Sequence, residues 1–181
     1  MALGLDSDRV VLAREHRVWA AEFLCERQRI LNSLSGHAAV VEHVGSTAVR
    51  GVPAKPILDI LIGVASFEKA RVCIGPMESL GYEYRGEYGI PGRHYFVKGA
   101  PRTHHVHMLE VGGESWGRMI AFRDALLTCP GIANDYADAK LRIAASNSEN
   151  RAAYQRAKDT VIERILKGLS THGKPTDGRT A

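Results

Sequence analysis

An apolar run, a glycine-serine turn and a lone carboxylate inside the next apolar run constrain this chain more than any other feature. Ala39 to Val44 reads as one strand and Ile57 to Val64 as a second. Between them Gly45 and Ser46 can open a short helix at Thr47, twelve residues before Asp59. Side chains alternate along a strand, so Ile57, Asp59 and Leu61 share one face, and Leu58, Ile60 and Ile62 share the other. An unpaired carboxylate in such surroundings is costly to bury, so Asp59 needs a cation, a basic partner or hydrogen-bond donors. The backbone N–H groups of Gly45, Ser46 and Thr47 suit an anion such as phosphate. An anion site and an acidic site therefore fall side by side.

The rest of the chain alternates between the two secondary-structure periods before turning helical. Glu15 to Leu34 presents Trp19, Phe23, Ile30 and Leu34 at helical spacing and reads as a core-facing helix. A helix over Phe67 to Leu80 leads to shorter strands at Tyr82 to Tyr84, Arg93 to Val97 and His105 to Leu109. Three helices close the chain, at Trp116 to Leu127, Ile132 to Ala145 and Glu149 to Leu169, with Ser146-Asn147-Ser148 as the capping segment of the last. This order predicts an α+β fold with a mixed β-sheet, flanking helices and a helical C-terminal third. Residues 1–169 make a single domain, and the polar, turn-rich residues 170–181 read as a disordered tail.

Charge narrows the range of ligands. The chain carries a formal charge of +4, with 17 Arg to 7 Lys, and arginine favours planar oxyanions. The basic residues are scattered, which points to a small anionic ligand and away from a nucleic-acid groove. Cys25, Cys73 and Cys129 lack metal or disulfide spacing and read as buried small hydrophobes. Asp6, Asp8 and Arg9 stand where a signal peptide would be apolar, and no run reaches a membrane-spanning length, so a cytoplasmic protein without a membrane partner is expected.

Other polar side chains converge on the same region. His105 and His107 share a strand face, and their spacing permits joint ligation of a cation or joint donation to phosphate or Asp59. His43 stands at the end of the first strand, and Lys55 precedes the Asp59 strand with reach toward a phosphate or toward Asp59 itself. Arg93, Tyr95 and Arg102 precede the histidine strand and could clamp an anion. Tyr136 with Lys140, and Tyr154 with Lys158, each lie on one helix face.

The run EHVGSTAVRGVPAKPILDILIGV, with RHYFVKG, RTHHVHMLE, FRDALLTCP, YADAK and YQRAK, resembles the GrpB family over about Trp19 to Lys167. Its Gly-Ser turn and spaced aspartate also resemble the nucleotidyltransferase superfamily related to polymerase beta. The resemblance implies a metal-dependent enzyme that binds a nucleoside triphosphate, ATP first among them, and transfers a nucleotidyl group to a small acceptor or adenylates it. It implies Asp59 as the first catalytic carboxylate, with His105 and His107 as further catalytic residues and ligands of Mg2+, Mn2+ or Zn2+. It also implies Lys140 as a helical phosphate-binding lysine. The chain departs from the superfamily at Leu61, where a second carboxylate is usual, and two-metal catalysis needs bridging ligands. A non-catalytic nucleotide or metabolite sensor, and a His-x-His metal hydrolase, are the alternatives.

Overall fold

The computed structural model describes residues 3–4 and 10–172, so the expected tail from residue 173 onward lies outside the described residues. Five strands form one mixed sheet: β1 (Val40–Val44), β2 (Leu58–Val64), β3 (Tyr82–Tyr84), β4 (His94–Lys98) and β5 (His104–Glu110), in the order β1-β2-β5-β4-β3. Only the central pair, β2 with β5, is parallel; the other three pairings are antiparallel. That pair juxtaposes two strands far apart in sequence, because the excursion through β3 and β4 intervenes.

Among the described residues five α-helices complete the fold: α1 (His16–Leu34), α2 (Ile74–Ser79), α3 (Glu114–Thr128), α4 (Pro130–Ser146) and α5 (Arg151–His172). In α1 the buried residues Trp19, Phe23, Glu26, Ile30 and Leu34 recur every three or four positions, which puts them on one face. That face packs with α2 against Leu58, Ile60, Ile62 and Val64 of β2. Each large apolar side chain so buried contributes about 1.5–3 kcal/mol. Glu26 interrupts the stripe, and its carboxylate accepts from Lys98 Nζ at 2.7 Å and Tyr82 Oη at 3.0 Å. The opposite sheet face is covered at one end by α3, whose Trp116, Met119 and Ile120 pack on Val44, Leu61 and Leu109. Helices α3 to α5 then pack together around Phe122, Leu126, Tyr136 and Leu166.

Several expectations need correction. The helix expected from Phe67 to Leu80 is a 3-10 segment, Lys69–Cys73, followed by the short α2. Pro76 has no N–H to bond the Val72 carbonyl, so the α-helical ladder cannot run through it. The last helix runs on to His172, beyond the expected end at Leu169, since the nearest stop signals are Gly173 and Pro175. Its N-terminal cap is Asn150, whose Oδ1 accepts from the Ala153 N–H at 2.9 Å. Asn147 instead closes α4, donating to the Ile143 carbonyl at 2.9 Å. Cys25 and Cys129 are exposed, and only Cys73 is buried. No helix among the described residues is long and apolar enough to cross a membrane.

Candidate functional site

Between the uncovered part of the sheet face and helices α3 to α5 lies a cavity of about 1120 Å3. Register explains its floor. Asp59 pairs across the ladder with His105, and His107 pairs with Leu61 on one side and Tyr95 on the other. The parallel β2-β5 pair thus sets the aspartate and both histidines on one face, as period-two geometry predicts.

Hydrogen bonds fix how these groups meet. His105 Nδ1 lies 3.1 Å from Asp59 Oδ1, and because a carboxylate only accepts, Nδ1 carries the proton. Arg93 Nη1 donates to His107 Nδ1 at 3.0 Å. Arginine has no lone pair to accept with, so the His107 proton sits on Nε2, which faces Asp59 Oδ1 at 4.0 Å. Burial would raise the Asp59 pKa, but the donors His105 and His107 outweigh it and hold the carboxyl well below its usual range. Burial, with the Arg93 charge adding to it, lowers the His107 pKa. The Asp59 side chain lies deep among protein atoms yet remains 32% exposed, because it opens into the cavity.

Arg93 itself is 4% exposed and is held internally. Besides His107 it bonds the Glu87 and Tyr88 carbonyls, at 3.2 and 2.7 Å, and its guanidinium lies over the Tyr95 ring at 4.5 Å. It acts on the site chiefly by orienting His107. As arranged, three of the four ring nitrogens of the expected metal site are engaged, which leaves His105 Nε2 and the Asp59 carboxylate as the donors it can offer a cation. Nδ1 of His107 receives Arg93, its Nε2 carries a proton, and Nδ1 of His105 donates to Asp59. Among the described residues no group of three or more His, Cys, Asp or Glu side chains is disposed to hold a metal ion.

The Gly-Ser turn forms the adjoining wall. The expected helix there is a three-residue 3-10 turn, Ser46–Ala48, too short to carry much of a helix dipole. Ser46 Oγ lies 3.4 Å from Tyr136 Oη, which links the turn to α4. Thr47 is buried, and its hydroxyl meets His43 Nε2 at 2.9 Å. His43 turns away from the cavity, stacks on Phe23 of α1 and supports the turn from behind; burial lowers its pKa to about 4.

Gly45, Ser46, Thr47, Lys55, Asp59, Arg93, Tyr95, Arg102, His105, His107 and Lys140, all named from sequence, line this one cavity. Sequence reasoning gave no role to Arg85 and Arg118, which also line it, and named Lys158 only as a helical partner of Tyr154. Arg85 sits in a turn and Arg118 on α3, and neither has neighbours in sequence that mark it. Arg123 does not line the cavity; it pairs with Glu42 and Asp124. Among the described residues, eight Lys and Arg side chains line the walls against three Asp and Glu. Burial, with Lys158 and Arg151 adding to it, lowers the Lys55 pKa to about 8. Lys140 is 2% exposed, and burial with Lys158 drives its pKa well below the usual value.

The sheet and its helices make an α+β domain. The poly(U) polymerase Cid1 aligns with a TM-score of 0.45 and 10% identity over 83% of this chain and 50% of that one, which bears on shape alone. The chain belongs to the GrpB family, whose model, described as GrpB protein, matches residues 9–168. A crystal structure of the conserved protein GrpB from Enterococcus faecalis superposes with a TM-score of 0.78 at 33% identity, covering 88% of this chain and 99% of that one. The UPF0157 protein PA4798 of Pseudomonas aeruginosa is 38% identical over 89% of this chain and 68% of its own length. The UPF0157 protein YqkA of Bacillus subtilis is 40% identical over 80% of this chain, which spans 43% of that relative.

Proposed function

We propose that the cavity binds a polyphosphorylated small molecule, with nucleoside triphosphates, ATP first, as the leading class. One observation carries this reading: among the described residues, eight Lys and Arg side chains line one cavity with three carboxylates, Arg85 and Arg118 of the eight being paired with Glu83 and Glu163. A wall of that sign concentrates anions and discriminates against neutral or cationic ligands. The aromatic rings of Tyr88 and Tyr95, stacked with centroids 5.1 Å apart at the rim, add an apolar surface for a planar group. Calorimetric titration with ATP, GTP, CTP and UTP tests the reading. Affinity for at least one of them, lost in the corresponding nucleoside, is the expected result; no binding of any triphosphate rejects it.

A second reading, transfer of a nucleotidyl group to a small acceptor, draws on the Asp59–His105 pair. With Nδ1–H donated to Asp59, the neutral form of His105 has its lone pair on Nε2 and can act as a general base. It would take the proton of an acceptor hydroxyl while that oxygen attacks the α-phosphorus and pyrophosphate departs. Release of pyrophosphate in the presence of an acceptor, lost in His105→Ala, distinguishes this enzyme from a protein that binds without turnover.

A further inference from the structure

We propose that Lys55, Lys140 and Lys158 form a metal-independent seat for the linked phosphates of the ligand, doing there what divalent cations do in metal-assisted sites. The proposal rests on the reading of the cavity as a polyphosphate site. The three lysines come from separate segments: the loop before β2, helix α4 and helix α5. All line the same cavity. Lys140 Nζ lies 5.3 Å from the centre of the Tyr136 ring, and Lys55 Nζ lies 5.3 Å from that of Tyr154. Among the described residues, none of the three has a carboxylate within ion-pairing distance. Asp59 and Asp159 influence Lys55, and Asp59 influences Lys140, only from farther away.

Such an arrangement is unfavourable in the empty protein. The Lys140 ammonium is buried without a counter-charge beside it, which is costly, and three cations converging on one space repel one another. A di- or triphosphate entering the cavity would relieve both costs at once. Its position follows from Tyr136, which carries Lys140 over its ring and reaches Ser46 of the turn with its hydroxyl. The phosphates therefore lie between the turn and the lysines.

The other half of the argument is the donor chemistry at Asp59. In metal-assisted sites a carboxylate pair anchors the cation that neutralises the phosphates. Here the position two residues after Asp59 is Leu61, 0% exposed among apolar side chains, and the Asp59 charge is met by imidazole donors. The positive charge that phosphates require is instead supplied by ammonium groups on the facing wall.

Titration of the full chain with inorganic tripolyphosphate, in EDTA and in excess Mg2+, tests the proposal. Affinity in EDTA should equal or exceed that in Mg2+, since Mg2+ competes for the anion. Lys140→Met and Lys158→Met should each weaken binding tenfold or more while keeping a cooperative melt at the wild-type temperature or above. The exposed Lys69→Met serves as a control and should bind as the wild type. Binding that appears only with Mg2+, or lysine variants with wild-type affinity, would overturn the lysine seat and leave the cavity assignment standing. Absence of binding of both tripolyphosphate and ATP in either buffer would overturn the cavity assignment and the seat together.

Discussion

Gly45 and Asp59 approach so closely that a Cβ on Gly45 would come within 2.6 Å of Asp59 Oδ2. Gly45 also holds φ 69° and ψ −168°, a region in effect reserved for glycine. Gly45→Ala should therefore cost about 1–3 kcal/mol. It should also push the carboxylate off His105. Urea unfolding and the imidazole NMR shifts of His105 measure the two effects, and an alanine variant with wild-type values in both would contradict the close approach.

The Arg93–His107 bond makes a definite statement about tautomers. Nitrogen-15 NMR of the wild type at neutral pH should show His107 protonated at Nε2, and His105 protonated at Nδ1. Arg93→Met should release His107 from this state and raise its pKa, because the guanidinium charge that opposes protonation is gone. A wild-type His107 carrying its proton on Nδ1 would rule out the donor geometry described for the site.

Ligand affinity should fall as pH rises from about 7 to 9. The Lys55 pKa is about 8 without ligand, and a bound anion favours the charged form, so binding above that value must take up a proton. Calorimetry in buffers of different ionisation enthalpy reads this uptake directly. Lys55→Arg, whose charge persists throughout, should flatten the profile. An affinity independent of pH in the wild type would exclude Lys55 from the ligand.

Acid should destabilise the fold before the carboxylates titrate. His43 and His104 have pKa values of about 4 in the folded chain, lowered first by burial, against about 6.5 in an unfolded one. The unfolded state then binds more protons between these values, so the stability derived from keeping both rings neutral is complete above about pH 6.5 and is lost as pH falls toward 4. Each ring contributes a slope of up to about 1.4 kcal/mol per pH unit. Melting temperatures should drop across that window, and His43→Gln should reduce the drop.

Much of this was legible in the residues because it depends on short-range geometry. The Gly45-Ser46 turn, the β2 strand and the His105/His107 face follow from local conformational preference and period two. The partners of those side chains were not legible, since they arise from pairings across the sheet. Nothing near Arg93 in sequence says that it reaches His107, and nothing near His43 says that it faces α1. Glu26, set in an apolar helical stripe, is understood only once Lys98 and Tyr82 arrive from β4 and β3. The lysine cluster was half visible: the Tyr-x-x-x-Lys spacing marks one helix face at a time, but only packing of α4 against α5 brings the two faces to one cavity.

Leu61 packs with Val44 and Leu109 beneath Trp116, Met119 and Ile120 of α3. An acidic residue there would put a charge into that apolar contact, with His107 as its neighbour across the ladder, at a cost of several kcal/mol in a domain whose whole stability is about 5–15. A substitution at position 61 alone would therefore give a carboxylate pair only at that cost. A second carboxylate at that position calls for a remodelled α3, so the chemistry of this sheet face is confined by the helix packed on it.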